Sequence, residues 1–217
     1  MVFMRDSDRA AASVPAAGLE IGLHMNFSLP FTAKEVPQKL REQQERLALY
    51  LTKSRVSGAI LNPLLTDSFE FVFSSQKKEF FRLYSRLPDF YNGHHHVHLC
   101  ANMLARHLIP RGARVRQTFT CEPRKGGLIR RFYRRALSRY IAKRFVSTDS
   151  FFGIEPIRDQ KRLGHIIGRA AHEDVEIEVH PENDIEMEYL LSERFQSLIG
   201  SIQLGGFLHL PLKPQQE

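Results

Sequence analysis

Short apolar, strand-like runs alternate along this chain with segments of helical period, and that alternation limits the fold more than any other feature. Strand-like runs fall at residues 19–27, 90–98, 114–119, 175–180 and, briefly, 202–204. Between them the spacing predicts helices over 37–53, 76–87, to about 109, 127–146, 158–171 and 186–199. Pro88 ends the second of these, because the residue before proline is pushed out of helical conformation. The dense apolar run at 69–73 reads as strand or buried helix, and 56–63 as connection. Strands alternating with helices imply an α/β architecture with a largely parallel sheet. No internal repeat or linker divides the chain, so 1–217 reads as a single domain with a disordered tail at 213–217. A chain of 217 residues is long enough to bury a full core.

Charge is concentrated rather than spread. The formal net charge is +7, yet the window 124–144 alone holds nine Lys or Arg and no acid, so the remainder is close to balanced. Within it Ile129, Phe132, Tyr133, Ala136, Leu137, Tyr140, Ile141 and Phe145 recur at helical spacing, with Arg130, Arg131, Arg134, Arg135, Arg139 and Lys143 between them. The expectation is one amphipathic helix, its apolar stripe packed inward and Arg131, Arg134 and Arg135 exposed. Such a face suits nucleic acid or anionic lipid. One helix without a groove-reading motif favours plain solvation, and no nucleic-acid partner is expected. Two cysteines make neither a disulfide scaffold nor a cysteine-only metal site. With no visible signal peptide or transmembrane segment, a reduced, cytoplasmic setting is expected.

The chemistry-bearing residues are histidines. Four of the ten lie in Asn92-Gly93-His94-His95-His96-Val97-His98. On a strand, His94, His96 and His98 would share one face. Imidazoles grouped in this way suit a divalent metal or an anionic substrate, the alternatives being an exposed strand end or chance. His24 ends the run Ile21-Gly22-Leu23, and His180 ends Val175-Glu176-Ile177-Glu178-Val179. Each alone reads as a structural histidine. Three strands carrying histidine near their carboxyl ends, where parallel α/β folds place their sites, favour one shared site. Cys100 reads as a small buried residue. Arg116 either points at a polar or anionic substrate or forms a structural salt bridge. Walker, nucleophile-elbow and dinucleotide-binding motifs are absent from the sequence.

These same residues give the chain a family resemblance. Gly22-Leu23-His24-Met25-Asn26, Gly93-His94-His95-His96-Val97-His98, Phe151-Phe152-Gly153 and Glu178-Val179-His180-Pro181 resemble, in order and spacing, the YdjC-like family. That family includes ChbG-type chitooligosaccharide deacetylases and a hopanoid-biosynthesis-associated branch. The resemblance spans about residues 10–204, and the histidine block is its most specific element. It implies one deacetylase domain with a distorted TIM-barrel-like (β/α) fold, and metal-dependent removal of acetyl groups from N-acetylated sugars. It further implies His24 and His94 as ligands of a divalent ion, magnesium or zinc, with their imidazoles close enough to share it. His180 would be the general acid facing the same cleft, and His96, His98 and Arg116 would line the pocket or support the ligands.

Two positions depart from the family pattern. The strand ending in Asp-Asp-Phe-Gly, which supplies a metal-binding aspartate, has no counterpart, since Asp6 and Asp8 lack a preceding apolar strand. The barrel is therefore expected to lack its first strand–helix unit and the chain to be a weak or inactive enzyme. Glu182 also stands where glycine often follows His-Pro. The leading expectation is a metal-dependent carbohydrate deacetylase, with a homodimer possible. The rivals are a catalytically inactive sugar-binding relic and an anionic-surface binder acting through 127–146.

Overall fold

The computed structural model describes residues 1–14, 18–54, 56–120, 127–157, 159–200 and 202–211. The chain divides into two compact units, Met1–Val115 and Arg116–Glu217. The expected disordered tail at 213–217 lies outside the described residues.

In the first unit a short helix, α1 (Ser7–Ala12), precedes β1 (Leu23–Met25), α2 (Gln38–Thr52), α3 (Thr66–Tyr84), β2 (Tyr91–Gly93) and α4 (Ala101–Ala105). β1 and β2 pair in parallel, with Leu23 opposite Tyr91, His24 opposite Asn92 and Met25 opposite Gly93. A single parallel bridge adds Val115 beside Tyr91, so the expected strand at 114–119 contributes one rung. The run 69–73 proves to be helix, continuous with the segment after it. Phe69, Val72, Phe73, Gln76 and Phe80 recur at helical spacing and are all buried in α3. Burying each aromatic side chain contributes about 1.5–3 kcal/mol. Leu40 and Leu47 of α2 are buried too, and α2 packs on α3.

The second unit contains α5 (Leu128–Arg144), β3 (Ser150–Gly153), α6 (Gln160–Arg169), β4 (Val175–Glu178), α7 (Asp184–Leu191) and α8 (Glu193–Ile199). β3 and β4 pair in parallel over four residues, from Ser150 opposite Val175 to Gly153 opposite Glu178. α6 packs on β4, with Leu163, Ile166 and Ile167 buried. The Asp159 side chain accepts from the Arg162 backbone N–H and starts α6. The helix expected over 186–199 is two helices. Ser192 turns extended and its hydroxyl accepts from the Phe195 N–H, which ends α7 and caps α8. Residues 202–204 are not a strand.

The parallel α/β character is as expected. The described strands, however, form two two-stranded parallel sheets, and a TIM-barrel-like closure is not among their pairings. The basic helix forms, but its stripe does not pack as expected. Ile141 is the buried residue of α5, while Leu128, Ile129 and Phe132 are exposed.

Arg169 and Glu173 form an ion pair at the end of α6, with Nη2 donating to Oε2 at 3.0 Å. This hydrogen bond, and a further one from Ser150, hold the Glu173 carboxyl below its ordinary range. The unfolded chain therefore takes up more protons on acidification, so the pair's contribution is complete above the ordinary carboxylate range and is lost as pH falls through the lowered folded-state value. Urea unfolding of wild type against Glu173→Gln should show a difference of a few tenths to about 1 kcal/mol near neutrality that closes at acid pH. A difference unchanged by pH would contradict the assignment.

Candidate functional site

β1 delivers His24 to its site, and the loop after it is held by buried amides. Gln76 of α3 accepts from the Asn26 backbone N–H at 2.7 Å and donates to the Asn26 carbonyl at 3.0 Å. The Asn26 side chain accepts from the N–H groups of Ser28 and Leu29, so the chain turns sharply just past the strand. Opposite His24 in the parallel register stands Asn92, whose Oδ1 lies 3.0 Å from His24 Nδ1. An amide oxygen only accepts, so His24 Nδ1 carries the proton and Nε2 is the ring's acceptor nitrogen.

The histidine block does not continue β2. The strand pairing ends at Gly93, where β1 also ends, and residues His94–Leu99 wind into a tight turn of 3₁₀ type. His95 and His96 take left-handed backbone angles, φ 51° and 57°. Non-glycine residues pay for that conformation in strain, and such positions gather at functional sites. The alternation expected to set His94, His96 and His98 on one face therefore does not hold. His98 is fully buried, His95 is exposed, and its Nδ1 lies 3.2 Å from Ser28 Oγ. The rings of His96 and His98 are 6.1 Å apart, centroid to centroid.

What the turn does bring together is His94 and His24. Their ring centroids are 5.9 Å apart and the planes meet edge to face at 72°. With metal–nitrogen bonds of about 2 Å, two imidazoles on one ion have centroids about 5–6 Å apart. The centroid spacing of His24 and His94 falls in that range. Metal-binding histidines also characteristically donate their second ring nitrogen to a polar partner, as His24 does to Asn92. Among the described residues no group of three or more His, Cys, Asp or Glu side chains converges on a metal position, so the pair is a partial set. Cys100 is buried, and burial pushes its thiol up to about 12, in keeping with a packing residue.

In the second unit His180 lies two residues beyond β4 and lines a cleft of ≈ 370 Å³. Phe119, Phe152, Arg130, Arg134, Arg162, Glu155, Glu178 and Glu186 share that lining. Glu186, on the first turn of α7, is almost wholly buried. It accepts from the His180 backbone N–H at 2.6 Å, and its other oxygen lies 3.3 Å from His180 Nδ1. The carboxylate orients the ring with the proton on Nδ1 and Nε2 as its acceptor. Sequence reading missed Glu186. The available signal was an acid six residues past a strand-end histidine, in the acidic first turn of a helix.

Arg116 follows the structural of its two alternatives. Its Nε donates to Glu176 at 2.6 Å, Nη1 donates to Glu178, and the guanidinium stacks 4.7 Å from the Phe151 ring. Burial nevertheless pushes the Glu176 carboxyl above its ordinary range, against the pull of Arg116. Arg162 donates to the carbonyls of Gly153 at 2.9 Å and Ile154 at 3.3 Å, which fixes the Phe151-Phe152-Gly153 end of β3 at the cleft.

His24 and His180 thus stand at or just beyond the ends of parallel strands of an α/β protein, each with a polar partner on its Nδ1 side. The family model described as YdjC-like protein matches residues 1–200, and the chain belongs to that family. Its fold is similar to the crystal structure of a candidate cellobiose-phosphate cleavage protein from Enterococcus faecalis V583, with a TM-score of 0.59 and 17% identity. The match covers 94% of this chain and 80% of that one. No curated protein matches the chain.

Gly93 is required at the histidine turn for space. A Cβ there would lie 2.9 Å from the His98 backbone nitrogen and 3.1 Å from its Cβ. Gly93→Ala should cost about 1–3 kcal/mol in urea unfolding. Gly164→Ala, in α6 with nothing within 4 Å, should instead stabilise by about 0.5–1 kcal/mol. Equal effects at the two positions would contradict the packing assigned to Gly93.

Proposed function

We propose that this protein is a carbohydrate-processing hydrolase of the YdjC-like family that removes acetyl groups from N-acetylated sugars. Family membership supports the carbohydrate class, as does the relative's name, which refers to cleavage of a sugar phosphate. The single observation that carries the chemistry is the His24–His94 pair, two imidazoles at a spacing one ion can bridge. A divalent ion, magnesium or zinc, would there polarise the acetyl carbonyl and lower the pKa of a bound water.

The chain's own residues supply the rest of this reading. By accepting from His24 Nδ1, Asn92 would leave Nε2 as the nitrogen that holds the ion. In the second unit, the cleft lining combines aromatic rings with carboxylates and guanidiniums, a mixture suited to a hydroxyl-rich ring with an apolar face. His180 has the arrangement of a general acid, which would give an Nε2 proton to a leaving group bound in that cleft. Glu186 steadies the resulting change of charge through Nδ1. His96 and His98 act from within the turn by fixing the position of His94, and Arg116 acts by holding β4.

A second reading is favoured by one observation, the absence of a third converging ligand among the described residues. Two neutral imidazoles leave the ion's charge unbalanced and remove the nearby carboxylate that would accept the water's proton. The protein would then be a sugar-binding relative with weak or no turnover.

Acetate release from N-acetylated oligosaccharides, with and without added zinc or magnesium, separates the two readings. The deacetylase reading predicts slow, metal-stimulated release. His94→Ala should abolish the stimulation, and His180→Ala should lower the rate by about 10²–10⁴-fold. Oligosaccharide binding with no acetate released at any metal concentration would favour the binding protein. Release indifferent to both substitutions would refute the site.

A further inference from the structure

The first two turns of α5 expose apolar side chains, among them Ile129 and Phe132, which the helical spacing assigns to the interior. Leu128, Ile129 and Phe132 are 83%, 87% and 77% accessible. At about 100° per residue, Leu128, Phe132, Arg135 and Arg139 fall in one row, with Arg131 on one flank and Ile129 on the other. Arg131, Arg135 and Arg139 are exposed as well. The helix is anchored at its other end by Ile141, which is fully buried. No acidic residue occurs anywhere in α5.

We propose that this face is a docking surface for the anionic surface of a lipid bilayer. A helix that lies in the membrane interface needs exposed apolar side chains to enter the acyl boundary and cations beside them to meet the headgroups. Both stand on the same turns here. None of the described helices is long and apolar enough to cross a membrane, so the contact is peripheral. Charge complementarity selects lipid over the other occupants. A second copy of this helix would set arginine against arginine with no carboxylate between them, and a nucleic-acid backbone would leave the three apolar side chains unused. Arg130 and Arg134 of the same helix line the His180 cleft, so docking would hold that cleft beside the bilayer. The proposal does not depend on the deacetylase reading, and its readout is binding alone.

Flotation of the full chain with phosphatidylglycerol-containing vesicles, against phosphatidylcholine vesicles, tests it. Binding is expected to the anionic vesicles only and to weaken with salt. Ile129→Ser with Phe132→Ser should lower it at least tenfold. Arg131→Glu with Arg135→Glu should lower it further, since each cation near such a surface is worth about fivefold in partitioning. The chain has no tryptophan, so Phe132→Trp is a single reporter whose emission should shift to the blue on anionic vesicles. The proposal is overturned by absence of vesicle binding or of that shift. It is also overturned by vesicle binding that the apolar pair leaves unchanged, or by an Ile129- and Phe132-dependent dimer that ignores vesicles.

Discussion

The register of β1 against β2 is the constraint on which the first unit's site depends. Because His24 stands opposite Asn92, one amide fixes the tautomer of the histidine. Because Met25 stands opposite Gly93, both strands end together, and the next residues have no ladder to continue. The residues after Gly93 wind into the tight turn instead, and its first residue, His94, stands with its ring 5.9 Å from that of His24. A slip of one residue would reverse every side chain and leave His24 facing away from its partner. Gln76 guards the same register from behind, because its amide satisfies both backbone groups of Asn26 in a region closed to water.

The second unit follows similar logic with charged partners. Here the strand ends are fixed by arginines: Arg116 spans the two glutamates of β4, and Arg162 holds the carbonyls at the end of β3. Glu186 is buried, yet accepts two hydrogen bonds from one residue, which meets the cost of removing a carboxylate from water and fixes the His180 ring. Both histidine sites therefore use the same device. A side-chain oxygen sits on Nδ1, so Nε2 is the acceptor.

Motif order was legible in the sequence, because Gly22-Leu23-His24 and Val179-His180-Pro181 carry their meaning in a few adjacent residues. Helices with strong period were legible too, α2 and α6 among them, since an apolar face repeats whatever it packs against. The histidine block was misread for a physical reason. Strand propensity says nothing about whether a partner strand extends far enough, and here it does not. The break at Ser192 was hidden because a hydroxyl cap competes with helix continuity only once its geometry is known. Spacing places Ile129 and Ile141 on one broad stripe, while the structure buries one and exposes the other. The roles of Arg116 and Glu186 were out of reach because their partners depend on tertiary contacts.

The proposed divalent-ion position is formed by His24 and His94. Its most direct test is a titration of the protein with manganese while the imidazole resonances are followed by NMR. The His24 and His94 signals are expected to broaden first and together, at substoichiometric metal. Broadening that begins at other histidines, or that leaves these two sharp, would contradict it.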